Sequence, residues 1–348
     1  MDFRYTPRQA DLKARAAAYT ELLFRYEDQA EEAGGPLPSD TVRELTRAAI
    51  DAGVYAINMP EKWGGPGLSL LDQVIVEEEF GKVTNCLWDI PWRPANVLAY
   101  GTEAQREKYL LPVIRGERFD AFAVTEPGAG SDPSSGTSTA TRTEGGWLLN
   151  GEKWFVTCGD IADFLLVQAD AGPERAATLF FVDKQAPGVR MTRVPRFMHS
   201  AVNGHPEFTF TDVFVPDDDV LGGVGNGYEL TKEWFTDERL MIAARTTGAA
   251  ERALQLARDW AVERRQFGSP IADFQLVQGM LADCAVDIRC TRRPRRPSSR
   301  RARRRAGSST AVCRSSVAVA MTAPAPSSGS TASCGWTASG RAPPRSSA

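Results

Sequence analysis

Apolar residues in the first third of the chain recur at helical spacing. Leu12, Ala16, Tyr19, Leu23, Tyr26 and Ala30 follow one another at steps of four and three. This predicts one amphipathic helix over residues 8–33, ended by Gly34-Gly35. A second helix is predicted from Ser39 to just before Gly53. INMPEKWGGPGLSL reads as loop, because Gly and Pro interrupt both the helix and the strand period. LDQVIVEEEFGKV and QREKYLLPVIRGE return to the helical pattern. At Phe119 the period changes. FAVT, GWLLNGEKWFVT, FLLVQA, TLFFVD and EFTFTDVFVP are short β-branched or aromatic runs between turn residues, predicting an antiparallel sheet region of about 110 residues. Helix resumes near Gly227, and Ala250, Leu254, Ala257 and Ala261 line one stripe through GAAERALQLARDWAVERRQFG. The order is helices, strands, helices, with no βαβ alternation, which excludes a doubly wound sheet. The expected fold class is α+β. It comprises an N-terminal helical domain (1–118), a central antiparallel β domain (119–226) and a C-terminal helical bundle (227–291) that is truncated after about residue 291.

The pattern stops there. Residues 292–348 contain no Leu, Ile, Phe, Tyr, Asp, Glu or Lys. Arg, Ser, Ala, Pro and Gly dominate, and such a segment cannot bury enough apolar surface to offset chain entropy, so it is expected to be a disordered basic tail. The tail also changes the charge picture. It holds 12 of the 41 Lys and Arg residues and none of the 44 Asp and Glu, so the formal net charge of −3 conceals an acidic body. An acidic body argues against a nucleic-acid partner. No apolar run approaches the roughly 18 residues of a membrane span. The polar start MDFRYTPRQADLK does not read as a secretory signal. The six cysteines form no CxxC and no metal-like set with His199 or His205, so no metal is expected. Free thiols and the lack of a targeting segment predict a reducing, bacterial-type cytoplasm.

Two motifs carry candidate chemistry. AVTEPGAGSD (123–132) places Gly128, Ala129 and Gly130 together, which lets backbone approach a flat ligand. Ser131 and Thr125 add hydroxyls. NGEKWFVT (150–157) follows, with Phe155 as a possible aromatic wall. GAG is not GxGxxG and does not lead from strand to helix, so a Rossmann site is a poor reading. Taken singly, the first motif is equally a surface turn and Phe155 an inward-facing strand aromatic. Their company changes this. PEKWGGPGLSLLD, AVTEPGAGSD, NGEKWFVTCG, FTDVFVPDDDVLG, FTDERLMIAAR and ERRQFGSPIADFQLVQ occur in that order, and together they resemble the acyl-CoA dehydrogenase family across residues 1–291.

The resemblance implies an FAD-dependent enzyme that removes the α-proton of an acyl-CoA thioester while a β-hydride passes to the flavin. Phe122, Val124 and Thr125 then match the segment along the isoalloxazine. Gly130 belongs to the cofactor loop. Ser131 matches a residue near the cofactor phosphates or the substrate's pantetheine, Phe155 an aromatic stacked on the ring, and Thr157 a hydroxyl near its N5. Arg264, Gln266 and Phe267 match positions that reach a neighbouring subunit's cofactor, where an arginine suits a diphosphate. Trp234 and residues 95–100 are candidates for lining the acyl pocket. The base must be a carboxylate held out of water. The family places it in one of two positions, and Glu238 matches the one just before an arginine. Arg239 then matches a substrate-side arginine. The resemblance also implies a homotetramer and electron transfer to an electron-transferring flavoprotein. A flavin-dependent acyl-CoA oxidase shares these motifs, and a non-catalytic, partly folded remnant or a binding module with a basic tail is the reading from another class.

The second position for the base is a glutamate in a C-terminal EGT motif, and the tail reads as that region translated out of frame. With third bases chosen freely, shifting the frame over Val312–Ser347 reads LQVFGGRGYDRT and then VERLYRELRVDGIWEGTSEIQ. Met321 and Trp336 each have a single codon ending in G and each precedes a threonine, whose codon begins AC. Both junctions therefore read G-A-C, giving Asp where the family pattern wants one. In the chain as it stands the EGT glutamate, which would straddle Gly340 and Arg341, does not exist, and Glu238 is the remaining candidate base.

Overall fold

A computed structural model describes residues 4–33, 37–197 and 203–291. The expected basic tail (292–348), Gly34-Gly35 and His199 lie outside the described residues. The described chain divides into two compact units, one ending at Gln255 and taking back the chain from Ile288, the other spanning Leu256–Asp287.

The first unit opens with helices. Helix α1 (Pro7–Phe24) starts where Thr6 and Gln9 cap each other reciprocally, with Pro7 where a missing N–H costs nothing. The single helix expected over 8–33 is in fact two, α1 and α2 (Glu27–Ala33). Between them the amides of Arg25 and Tyr26 tighten onto the carbonyls of Leu22 and Leu23. No Gly or Pro marks that break, and both pieces keep their apolar face inward. Helices α3 (Ser39–Asp51) and α4 (Leu70–Phe80) follow. The segment expected as one helix from Gln105 is α5 (Glu103–Gln105), a wide turn of π type over Arg106–Leu110, and α6 (Leu111–Ile114). Pro112 has no N–H to offer the carbonyl of Lys108, which instead accepts from Arg118 at 3.0 Å.

Eight strands then form one sheet in the order β6-β7-β3-β2-β4-β5-β8, with β1 also beside β4. They are β1 (Asp120–Ala123), β2 (Thr139–Thr143), β3 (Gly146–Lys153), β4 (Phe164–Ala171), β5 (Ala176–Asp183), β6 (Val189–Arg193), β7 (Glu207–Pro216) and β8 (Val220–Leu221). Most pairings are antiparallel, as expected, but β4 pairs in parallel with β1 and then with β2. β1 and β2 lie one after the other along the same edge of β4, joined by the 124–138 loop, and the chain reaches β4 only after passing through β3. Period-two alternation along β4 serves two cores. Phe164 and Leu166 face the N-terminal helices, while Leu165 and Val167 face a core within the β layer. Tyr109 seals the first contact by stacking on Phe181, centroids 4.1 Å apart.

Helix α7 (Gly227–Glu263) returns over α4. A Cβ at Gly248 would stand 1.9 Å from the Glu78 carbonyl oxygen, and one at Gly81 would stand 1.9 Å from that of Arg245. Backbone therefore meets backbone at this crossing. In the second unit, ERRQFG does not prolong a helix. It forms a two-stranded hairpin of β9 (Arg265–Gln266) and β10 (Ser269–Pro270), turned by Phe267 and Gly268 at positive φ. Helix α8 (Gln275–Thr291) follows. No described helix is long and apolar enough to cross a membrane. Gly248→Ala is expected to destabilise the protein by about 1–3 kcal/mol through overpacking. Gly279→Ala, where a Cβ meets nothing within 4 Å in α8, is expected to stabilise it by about 0.5–1 kcal/mol. Thermal unfolding of the two variants checks the contrast.

Candidate active site

Strand β1 leaves the sheet as Val124-Thr125-Glu126, and one buried lysine fixes where it goes. Lys153, at the end of β3, is 1% exposed. Its ammonium donates to the Val124 carbonyl at 3.1 Å and to Glu126 Oε1 at 2.7 Å. The Glu126 carboxylate also accepts from the Thr137 amide, the Thr137 hydroxyl and the Ser138 amide. Burial works against ionised Glu126, but Lys153 and these donors outweigh it and take the carboxyl down to about 2. Burial likewise lowers Lys153, against the pull of Glu126. The loop beyond closes on itself through paired Glu126–Ala129 backbone bonds of 3.0 and 3.1 Å. At Gly128 and Gly130 an added Cβ would meet nothing within 4 Å, so the loop keeps an open face free of side chains.

The segment after Lys153 is tied on both sides. The Trp154 amide donates to the Thr125 carbonyl (2.8 Å), Val156 to Pro206 (3.0 Å) and Cys158 to Gly204 (2.9 Å). Phe155 and Cys158 take left-handed backbone angles, φ 54° and 59°, a conformation that non-glycine residues rarely hold without outside constraint. The result is that Phe155 stands out from the sheet, 46% exposed. The Thr157 hydroxyl lies 3.2 Å from His205 Nδ1.

These residues form one wall of a cavity of about 320 Å³. Helix α7 forms another. Trp234, Glu238, Met241, Ile242 and Arg245 fall at i, i+4, i+7, i+8 and i+11, one helical face. Trp234 stacks on Phe122 with centroids 4.2 Å apart and planes 9° off parallel. The loop from Trp88 to Ala95 closes the third side. At its base Asp120 is buried, accepting from the Trp92 indole (2.8 Å) and the Ala95 amide (2.9 Å). Burial raises its carboxyl above the usual range despite those bonds.

Of the residues singled out in the sequence, Phe122, Val124, Thr125, Phe155, Thr157 and Glu238 meet at this cavity, with Trp234 and Ala95. Tyr100 is not in its lining and donates to Glu233 at 2.9 Å. Gly130 and Ser131 are exposed on the loop and do not line it. Arg239, the expected substrate-side arginine, is not in the cavity lining. One step along α7 turns it about 100° from Glu238. It is exposed, with its guanidinium 5.5 Å over the Phe235 ring. Arg264, Gln266 and Phe267 belong to the second unit, where Gln266 pairs with Ser269 and Phe267 is 97% exposed. Sequence reasoning missed Asp89, Arg93, Asp120, Cys158 and Arg245, all of which line the cavity. Helical spacing from Glu238 could have found Arg245. Nothing in the sequence announces Arg93, which lies 145 positions from its partner Glu238.

A second cavity, about 640 Å³, has a polar lining that includes Ser134, Thr137, Ser138, Arg175 and Tyr228.

Three family models match in order: "Acyl-CoA dehydrogenase, N-terminal domain" at residues 6–117, "middle domain" at 121–213 and "C-terminal domain" at 225–312. The caffeyl-CoA reductase-Etf complex subunit CarC of Acetobacterium woodii is 34% identical over 79% of this chain and 73% of its own length. The short-chain specific acyl-CoA dehydrogenase of Megasphaera elsdenii is 31% identical over 84% of this chain and 78% of its own. The structure of butyryl-CoA dehydrogenase from Megasphaera elsdenii superposes with a TM-score of 0.76 at 30% identity, covering 83% of this chain and 78% of that one.

The Glu126–Lys153 pair carries a pH signature. Because the folded Glu126 carboxyl sits below its ordinary value of 4.5, its contribution is fully present above that value and is lost as pH falls through about 2. A displacement of this size corresponds to roughly 3 kcal/mol. Glu126→Gln is expected to cost about 3–5 kcal/mol near neutral pH, since it strands Lys153. It should also flatten the fall in stability between about pH 4.5 and 2. Urea unfolding across that range checks both.

Proposed function

Since the chain belongs to the acyl-CoA dehydrogenase family, whose members are FAD-dependent and carry out α,β-dehydrogenation of acyl-CoA thioesters, we propose that its smaller cavity is where thioester and flavin meet, with Glu238 as the base. The observation that carries this reading is the position of Glu238. It is the carboxylate that α7 turns toward the Phe122, Val124, Thr125 and Phe155 wall. On this reading its carboxylate accepts the α-proton, and the C–H electron pair left behind forms the new double bond.

The residues present suit FAD. Gly128 and Gly130 leave an open backbone ledge, and Phe155 is an outward aromatic held there by a strained backbone. A flat apolar ring needs such a wall, and its polar edge needs backbone and hydroxyl donors such as those of Thr125 and Thr157. Bound FAD supplies the acceptor for the β-hydride. Val124 and Thr125 fix the edge of that wall, and Trp234 braces Phe122 from behind. Ser131 and Gly130 are assigned to the phosphate end of the loop, outside the cavity itself. The hydroxyl-lined second cavity, with Arg175 and Tyr228, suits the polar CoA portion of the substrate. Arg264, Gln266 and Phe267 remain assigned to a neighbouring subunit's cofactor, a role that a nearly fully exposed Phe267 fits. The family's electron-transferring flavoprotein is the proposed electron acceptor, and a homotetramer the proposed assembly. We keep the division at residues 118, 226 and 291 as the functional partition.

One feature favours a second reading. The family match stops at residue 312, and the remaining sequence reads as the family's closing motifs in a shifted frame. On that reading the natural gene product regains the EGT glutamate, and the present chain is a remnant with Glu238 alone. Resequencing the gene across the codons for Ile288–Val312 separates the two.

Purified protein supplied with FAD is expected to turn yellow and to bleach when acyl-CoA is added without oxygen. Glu238→Gln should slow bleaching by about 10²–10⁴-fold while leaving FAD bound. Protein that stays colourless with excess FAD contradicts the cofactor assignment. Unchanged bleaching in Glu238→Gln contradicts the choice of base.

A further inference from the structure

The least expected group at the cavity is Arg93. Its side chain is 7% exposed, yet it lines the cavity, and its guanidinium is divided between two neighbouring carboxylates of α7. One terminal nitrogen donates to Glu238 Oε1 at 2.5 Å, and the other to Asp237. Its Nε lies 3.9 Å from Glu77 and makes no hydrogen bond. Glu77 is itself engaged by Arg245.

The two carboxylates are not equivalent. Asp237 keeps 15% of its side chain exposed and Glu238 keeps 32%. Asp237 is thus the deeper partner, and Glu238 is the one that reaches the cavity. A guanidinium is planar and its two ends are fixed relative to each other. With one end held by Asp237, Glu238 can leave the other without the arginine moving.

The loop that carries Arg93 is built to stay still. Pro91 and Pro94 flank it in the sequence Pro91-Trp92-Arg93-Pro94-Ala95, which restricts the backbone on both sides. Asp120 takes the Trp92 indole with one oxygen and the Ala95 amide with the other, bracketing Arg93. The Trp92 carbonyl accepts from the Ala56 amide at 2.9 Å, and the Pro94 carbonyl accepts from Asn58 at 2.7 Å. This also gives buried Asp120 its use. It anchors the loop that places the arginine.

We propose that Arg93 is the positioning residue of the base. It fixes the direction of the Glu238 carboxylate in the free enzyme and gives it up when an acyl thioester fills the cavity. The proposal rests on Glu238 being the base. The step it serves is the family's own: the α C–H bond breaks, the proton goes to Glu238, and the electron pair left behind forms the double bond as the β-hydride departs to the acceptor that FAD would supply. Arg93 itself exchanges neither proton nor electron. A shift of about an ångström in a reacting group can cost about a hundredfold in rate, so the guanidinium's geometry should matter as well as its charge.

The test uses Arg93→Lys, Arg93→Met, Glu238→Gln and the double variant Arg93→Met/Glu238→Gln, all in the full chain with FAD. Arg93→Lys keeps the charge but not the two-ended fork. It is expected to melt within a few degrees of the parent, to lose about tenfold to a hundredfold in kcat, and to change KM less than about threefold. A merely structural arginine would give the parent's kcat in the folded lysine variant, and that result overturns the proposal. The stability cycle needs no turnover. Arg93→Met should lower Tm, and adding Glu238→Gln should restore part of that loss, because one stranded carboxylate is removed. Strictly additive Tm changes overturn the pairing. Full activity in Glu238→Gln removes the base itself and the proposal with it. An inactive Glu238→Gln beside a fully active Arg93→Lys overturns the positioning role alone.

Discussion

An ammonium group sealed in the protein interior sets the position of everything at this site. Lys153 cannot be left unpaired where it lies, since an isolated buried charge costs several kcal/mol. Its partners are therefore obligatory, and they are the Val124 carbonyl and the Glu126 carboxylate. Glu126 in turn gathers the amides of Thr137 and Ser138, so the far end of a long loop is drawn back to the strand it left. Lys153 also immediately precedes Trp154 and Phe155. One ion pair thus fixes the backbone ledge and the strand end from which Phe155 leaves, and the backbone bonds of Trp154, Val156 and Cys158 hold the strained φ values at Phe155 and Cys158.

The other half of the site is a charge lattice rather than a fold motif. Arg93 and Arg245 are held among Glu77, Asp89, Asp237 and Glu238. Pairs of this kind contribute little net stability after desolvation, while removing one partner strands the other. The tight crossing at Gly81 and Gly248 brings α7 close enough to α4 for that lattice to form. Packing, electrostatics and the proposed chemistry therefore share one helix face.

Local signals in the sequence recovered the strands and most of the helices, because alternation in FLLVQA and four-three spacing in α1 are properties of neighbouring residues. They failed where geometry is long-range. The parallel pairing of β1 with β4 joins strands separated in sequence by β2 and β3, which no dipeptide records. The break at Arg25-Tyr26 carries no Gly or Pro. The family motifs pointed to Phe122, Val124, Thr125, Phe155 and Glu238, which line one cavity, and to Arg239, which is exposed and outside its lining. Arg93 and Asp120 were invisible, since their roles exist only once the loop they hold meets α7. The Arg-rich end is the opposite case. Its change of composition is plain in the sequence alone, and it lies beyond the described residues.

The central claim is that the Lys153–Glu126 pair builds the ledge that FAD occupies. The most direct measurement is the FAD dissociation constant, by flavin fluorescence, for the parent, Lys153→Met, Glu126→Gln and the double variant. The expected result is that each single change weakens FAD by about tenfold or more, and that the double is no worse than the weaker single, the non-additivity of two groups acting as one. Folded single variants that bind FAD as tightly as the parent would contradict it.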